Sequence, residues 1–430
     1  MFKYLLLILF VPTVVIAQNN RQKIRGVVSD KFSQAPLSGA TIIINNLDFG
    51  AISDSTGRFE ISNLAPNRYD ITISFIGYKS NTISNIILTS GKEVIIEVQL
   101  EEDFSTSPTL IVQESDKAGT LSKLSSVSAR TFSMEEVNRY AGGRNDPARL
   151  AANFAGVSAP DDSRNDIVIR GNSPVGVLWK IDGMNVSNPN HFASVGTTGG
   201  AVSALNTNLL KNSDFFTSAF PAEYGNATAG VFDINFRNGN SQRRETTLQT
   251  GVITGLEVTT EGPISSKNSS AYLIGYRYSL AGIAQSMGIN IGTTATPTYQ
   301  DLSFKINGKN GKHGKLSLFG ILASSTIQIG EGPTESLYGN GNKINFSSKI
   351  GIAGLNHFMQ LTSNSNITTT AGVNYSSTNQ TSFEFDRIID SSFIREVSNV
   401  QKTTYFISSN FNYKFNSRFF FKAGIQDELI

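Results

Sequence analysis

The sequence predicts a mainly β protein in three successive parts: an N-terminal β-sandwich, a mixed α/β domain, and antiparallel transmembrane β-barrel strands forming an incomplete barrel. Three observations predict it. Short β-patterned runs alternate with turn signals from Lys23 to Leu100. Helix-cap signals and glycine-ended strands follow up to Asn240. From Arg244 onward apolar and small polar residues alternate with a period of two, on strands rich in Tyr and Phe. After Ala17 no apolar run approaches the length of a transmembrane helix, so any membrane-embedded part must be a barrel, the other structure that satisfies its backbone in lipid.

The first element is a targeting segment. Lys3 is a short positive n-region, Tyr4 to Ile16 are almost continuously apolar, and Val15-Ile16-Ala17 precede polar Gln18-Asn19-Asn20. The stretch is too short for a comfortable span, which predicts a cleaved secretory signal over residues 1–17. The chain contains no Cys, so an exported fold here uses no disulfides and depends on sheets and packed cores. A formal net charge of +2, without basic or acidic blocks, disfavours nucleic acid as a partner.

Residues 22–101 form the predicted sandwich. Ile24 to Val28, Ala40 to Ile44, Arg58 to Ile61, Tyr69 to Phe75 and Glu93 to Leu100 read as strands, and Asp54 to Gly57 as a reversal in which Gly57 can take positive φ. The motifs GxVxD at Gly26, PLxGAxI at Pro36, DxxGxFxI at Asp54 and YxIxxSxIGY at Tyr69 resemble the carboxypeptidase regulatory-like domain. The name implies no peptidase chemistry: the module holds no His and no metal-ligand cluster, and a small stable sandwich is the reading its residues favour.

Residues 102–129 are polar and read as a linker. Pro108-Thr109-Leu110-Ile111-Val112 is a β-branched island within it, suited to adding a strand to a partner's sheet edge. A stray strand packing on the sandwich is the plainer alternative. Position between sandwich and middle domain favours the first reading, and Thr109, Leu110, Ile111 and Val112 resemble a TonB box.

Residues 130–240 form the middle domain. Ser133 before Met134-Glu135-Glu136 predicts a capped helix with a capping box, and Pro147 after Asp146 fits a first helical position. Ile167 to Gly171 and Val177 to Gly183 read as strands ending in glycine turns. Arg170-Gly171, Asp182-Gly183, Asn188-Pro189-Asn190-His191-Phe192, Phe220-Pro221-Ala222-Glu223-Tyr224-Gly225 and Asn235 to Gly239 occur in the order found in the plug of TonB-dependent outer-membrane receptors, which the domain resembles. The resemblance implies a globular plug inside a large barrel. Arg170 and Glu223 are candidates for polar contacts with a hydrated barrel wall; taken singly, each residue is equally a turn or a surface ion pair worth little.

Residues 241–430 supply the barrel strands. Leu248, Thr250, Val252, Thr254, Leu256 and Val258 share one face, opposite Gln249, Gly255 and Glu257; Tyr276 and Tyr278 oppose Arg277, and Tyr405, Ile407 and Phe411 oppose Ser408 and Asn410. At about twenty residues per strand and turn, this length allows eight or nine strands. An eight-stranded barrel holds only its own side chains, whereas plugged transporters use about 22 strands. With Asp427-Glu428-Leu429-Ile430 at its end, the chain is expected to be truncated.

No catalytic constellation emerges. His191, His313 and His357 lie far apart, and no phosphate-cradling glycine loop occurs. No cofactor, metal or enzymatic activity is expected. The resemblance to TonB-dependent receptors of the Bacteroidetes type implies uptake of a nutrient ligand (siderophore, glycan or peptide) across the cell outer membrane. Its partners would be periplasmic TonB, outer-membrane lipid, the extracellular ligand and possibly a SusD-like surface lipoprotein. The alternative is a non-transporting surface β-protein, an adhesin or assembly component, which leaves the ordered middle-domain motifs unexplained.

Overall fold

The computed structural model describes residues 21–45, 47, 49–103, 129–140, 142–251, 255–265, 269–286, 295, 297–330, 343–386 and 391–430. The expected signal peptide and the Thr109–Val112 island lie outside the described residues. The chain divides into two units, Met1–Ile111 and Val112–Ile430.

Alternation builds the first unit. In β1 (Gln22–Asp30) Ile24, Gly26 and Val28 point inward, and β1 pairs antiparallel with β4 (Arg58–Leu64) and parallel with β7 (Val94–Leu100). The facing sheet has the order β3-β2-β5-β6, comprising β2 (Thr41–Ile44), β3 (Phe49–Ile52), β5 (Asn67–Ser74) and β6 (Asn81–Leu88). The sequence reading singled out neither β3 nor β6; both are edge strands whose outward residues weaken the apolar signal. Ile24, Val28, Ile42, Ile44, Ile61, Ile71 and Ile73 fill the core between the sheets. Asp54 closes the expected turn: its Oδ1 accepts from Thr56 N at 2.7 Å, Thr56 Oγ1 at 2.7 Å and Arg58 N at 3.0 Å, with Gly57 at φ 75°.

The second unit begins with β8 (Ala129–Phe132). Helix α1 (Met134–Arg139) carries the capping box, with Ser133 accepting from Glu136 N and Glu136 accepting from Ser133 N; α2 (Pro147–Ala151) has Asp146 as N-cap and Pro147 in its first turn. Two small hairpins follow, β9 (Val157–Ser158) with β10 (Val168–Ile169), and β13 (Asn190–His191) with β14 (Val202–Ser203). A five-stranded sheet of order β12-β11-β16-β15-β8 organises this middle domain, adding β11 (Val177–Ile181), β12 (Met184–Val186), β15 (Ser213–Phe216) and β16 (Gly230–Ile234).

The faces of this sheet differ. Trp179, Phe232 and Phe215 pair side by side on one face, with ring centroids 4.3 and 4.4 Å apart. On the other face one register level carries Thr131, Asp214, Asp233, Lys180 and Asn185, one polar residue from each strand.

Nine antiparallel strands then form a single wall in chain order: β17 (Glu245–Gly251), β18 (Gly255–Pro263), β19 (Ala271–Tyr278), β20 (Thr298–Asn307), β21 (Lys315–Ile329), β22 (Lys343–Thr362), β23 (Ser365–Asp386), β24 (Ser391–Lys414) and β25 (Phe420–Leu429). Short helix α3 (Ala281–Ser286) follows β19. Among the described residues β17 and β25 do not pair, so the barrel is not closed. Leu248, Tyr405 and Ile425 face outward, whereas Glu257, Thr259, Arg277, Asp301 and Ser303 are buried toward the middle domain. This is the apolar-out, polar-in alternation of an outer-membrane barrel.

The wall corrects one expectation. The alternating run from Leu248 to Val258 is not one strand but a reversal, in which Leu248 pairs with Val258 and Thr250 with Leu256. The faces stay in phase through the turn, so periodicity conceals it. Gly255 marks it, with φ 70° and a position where a Cβ would lie 2.1 Å from the Tyr278 carbonyl oxygen. The strands also exceed the length expected for a tilted membrane strand, about 9–11 residues: β22, β23 and β24 have 20, 22 and 24 residues.

Candidate functional site: the domain–wall interface

The five-stranded sheet presents its loops to the inner face of the wall, and discrete polar contacts join them. Asp182 and Gly183 form the two-residue turn between β11 and β12, with φ 45° and 86°, the primed geometry that suits a right-twisted hairpin. At this tip Lys305 of β20 lies 2.9 Å from Asp182 Oδ2 and also donates to the Phe236 carbonyl at 3.1 Å. Asn356 of β22 donates to the Asp182 carbonyl at 3.2 Å. A residue pair read from sequence as a turn is thus also an ionic contact to the wall.

Arg237 makes the strongest single contact. Its Nη1 and Nη2 donate to the two oxygens of Glu261 on β18 at 2.6 and 2.8 Å, a bidentate fork, while Nε donates to the Asn208 carbonyl at 2.7 Å. On the same strand Glu257 accepts from Asn206 at 3.0 Å and Asn208 at 2.7 Å. Asn206, Asn208 and Glu257 border a polar cavity of about 200 Å³, whose lining also includes Asn138, Gln249 and Arg277.

The Phe220 to Gly225 segment folds over the polar face of the sheet. Tyr224 packs on Phe216 with centroids 5.0 Å apart, and its hydroxyl donates to Asp233 Oδ2 at 2.7 Å. Burial, then the neighbouring Asp233 and Glu223 carboxylates, push the phenol well above its ordinary pKa, so it remains a donor. Burial also raises the Asp233 carboxyl, against the opposing influence of Lys180, whose Nζ sits 4.8 Å from the Tyr224 ring. Glu223 meets Lys422 of β25 in an ion pair, and Asn185 donates to Glu428 of the same strand at 2.7 Å.

The sequence-predicted residues therefore separate into groups. Asp182, Gly183, Glu223 and Tyr224 lie at or beside the wall contacts. Arg170 and Gly171 form an exposed left-handed turn after β10, with φ 49° and 78°. Gly225 is exposed at the end of the Tyr224 segment. Sequence reasoning did not assign Arg237, nor the wall partners Glu261, Arg277, Asp301, Lys305 and Lys422. An isolated charge on an otherwise small and polar strand face was the one signal that could have found the last group.

The interface is not purely polar. Leu273, Phe319, Ile321, Ile350 and Ile352 of the wall are buried in one cluster with Trp179, Met184 and Phe236 of the middle domain. Gly372 of β23 permits a close approach, since a Cβ there would lie 2.4 Å from Met184 Sδ. His191, which lies far in sequence from the other two histidines, bonds Asp301 in the fold, but its Nδ1 has no hydrogen-bond partner.

Residues 23–101 match the family model of the carboxypeptidase regulatory-like domain, and residues 122–231 that of the TonB-dependent receptor plug domain. No curated protein matches the chain. Among solved structures, the siderophore receptor PirA from Acinetobacter baumannii is 13% identical, with 66% of this chain and 45% of that chain covered and a TM-score of 0.43. A variant of the ferric enterobactin receptor PfeA from Pseudomonas aeruginosa is 12% identical, covering 66% and 46%, at a TM-score of 0.41. A type II cohesin–X-dockerin complex from Acetivibrio cellulolyticus is 25% identical over 19% of this chain and 58% of that chain, at a TM-score of 0.17. This chain covers roughly half of each of these solved chains. It carries, in order, a carboxypeptidase regulatory-like domain and the plug domain of TonB-dependent receptors.

Proposed function

We propose that this chain is the sandwich, plug and first wall strands of a TonB-dependent transporter in the cell outer membrane, exported by a cleaved signal peptide. The carrying observation is how the plug is held: Asp182–Lys305, Arg237–Glu261 and Glu223–Lys422 fasten it to three different wall strands. Each fastening is a small set of polar contacts, and such bonds can be exchanged for water one at a time. A domain held this way can be both secure at rest and displaceable by a pull.

In this reading Thr109 to Val112 pair as an added strand with periplasmic TonB, which transmits the pull through the linker to β8, the edge strand of the plug sheet. The transported ligand is a nutrient of the siderophore, glycan or peptide class, met on the extracellular side; a SusD-like lipoprotein partner would accompany glycans or peptides. The protein acts as a receptor and transporter and performs no catalysis. Deleting Thr109–Val112 in the complete protein is expected to abolish both TonB pull-down and uptake while leaving the outer-membrane level unchanged. Persistence of both activities would overturn the assignment.

A further inference from the structure

Two wall strands and both strands of the β13–β14 hairpin meet at one buried point. His191 of β13 is 1% exposed, and its Nε2 lies 3.0 Å from Asp301 Oδ2 on β20. Arg277 of β19 donates through Nε to both oxygens of that carboxylate, at 2.9 and 3.0 Å. Its Nη2 continues to the Ser203 carbonyl of β14 at 2.9 Å. Ser203 pairs with Asn190, the neighbour of His191, so the contacts form a closed circuit from hairpin to wall and back. Beside it, Phe192 N donates to Ser325 Oγ of β21 at 3.0 Å.

The charges in this circuit balance with a neutral imidazole. Asp301 and Arg277 neutralise one another, and His191 donates from Nε2 and leaves Nδ1 without a partner. The groups facing the ring are Asp301 and Tyr299 of β20, the latter with its ring 4.8 Å away, and Arg277 of β19; Glu257 of β18 lies beyond Arg277. Strand β14 contributes only Val202 and Ser203, and β21 contributes Ser325. A proton on Nδ1 would place a second cation beside Arg277 and create a buried donor with nothing to receive it. A polar cavity lined by Arg277 and Glu257 borders the far side of the circuit.

We propose that this circuit is a proton-released bolt: protonation of His191 at mildly acid pH frees the β13–β14 hairpin from the wall and leaves the other plug contacts in place. In the seated plug burial holds the imidazole below its ordinary value of 6.5, with the Asp301 bond acting in the opposite direction. A hairpin lifted into water exposes an imidazole of ordinary basicity. Seating is therefore at full strength above pH 6.5 and weakens as pH falls below it, by about tenfold per pH unit until the seated value is reached. The bolt rests on the plug–wall geometry and not on transport, so it can fail while uptake stands.

The test is hydrogen–deuterium exchange on the whole protein in detergent, with rates corrected for intrinsic pH dependence. Protection at Phe192 and Ser203 is expected to fall about tenfold between pH 7.5 and 5.5, with β11 unchanged; in His191→Gln it is expected to be flat. A flat wild-type profile, or a slope that survives in His191→Gln, overturns the proposal. If the variant does not insert, exchange at the imidazole C2 position titrates His191 directly in the wild type. A midpoint below the ordinary 6.5 supports the bolt, and a midpoint at or above 6.5 refutes it.

Discussion

Replacing Glu261 by Ala isolates the strongest plug–wall contact. The Glu261 side chain is 2% exposed and accepts both arms of Arg237 together with Asn240 N. Removing one partner of a buried ion pair costs about 3–5 kcal/mol, since the other charge is left in low dielectric. The Arg237 side chain is 21% exposed and keeps its bond to the Asn208 carbonyl, which places the loss near the lower bound, at about 3 kcal/mol. Trp179, the only Trp of the chain, lies in the plug core against Phe232, so its fluorescence reports plug unfolding. In a urea titration in detergent, an m-value of about 2 kcal/mol/M turns that loss into a midpoint about 1.5 M lower. Arg237→Met with Glu261→Ala closes the cycle, and the double variant should recover about 2 kcal/mol of the summed single losses. Losses that add to within about 0.5 kcal/mol would show that the fork carries no coupling and that the reasoning is wrong.

Two further outcomes are expected. Tyr224→Phe removes the donor to Asp233 while keeping the ring on Phe216, and should cost about 1–3 kcal/mol, which lowers the same Trp179 midpoint by about 0.5–1.5 M; an unchanged midpoint would mean that the hydroxyl contributes nothing. In the sandwich, the Thr56 hydroxyl and the Arg58 and Thr56 amides hold the Asp54 carboxyl below its ordinary 3.8. The turn's contribution is therefore present above pH 3.8 and lost as pH falls below it. Asp54→Asn should flatten acid-induced loss of amide protection at Arg58, and an equal slope in both proteins would count against the turn.

What could be read from sequence was local or periodic. The Ser133–Glu136 capping box spans four residues and needs nothing else, and the Asp54 turn is equally self-contained. Strands β19, β23 and β24 announced themselves because their two faces meet different solvents. Periodicity failed at the β17–β18 reversal, where Leu248 faces the same way as its partner Val258. It also could not pair charges. Asp182 and Lys305 are 123 residues apart, His191 and Asp301 110, and Glu223 and Lys422 199. Along one strand, Lys305 or Asp301 is simply an inward polar residue. Only the curvature of the sheet decides which plug loop it meets.

The wall's uneven height has a consequence of its own. The short connections Pro263 to Ala271, Asn307 to Ser317, Thr362 to Ser365 and Lys414 to Phe420 all lie at one end of the sheet, so the added residues accumulate at the other. Strand length rises from 7 residues in β17 to 24 in β24. At about 3.3 Å per residue and a tilt of about 40°, the tallest strand reaches about 60 Å along the membrane normal, twice the thickness of the hydrocarbon layer. Among the described strands the wall is therefore stepped, and at β22 to β24 it rises well past the ends of the shorter β17 to β20.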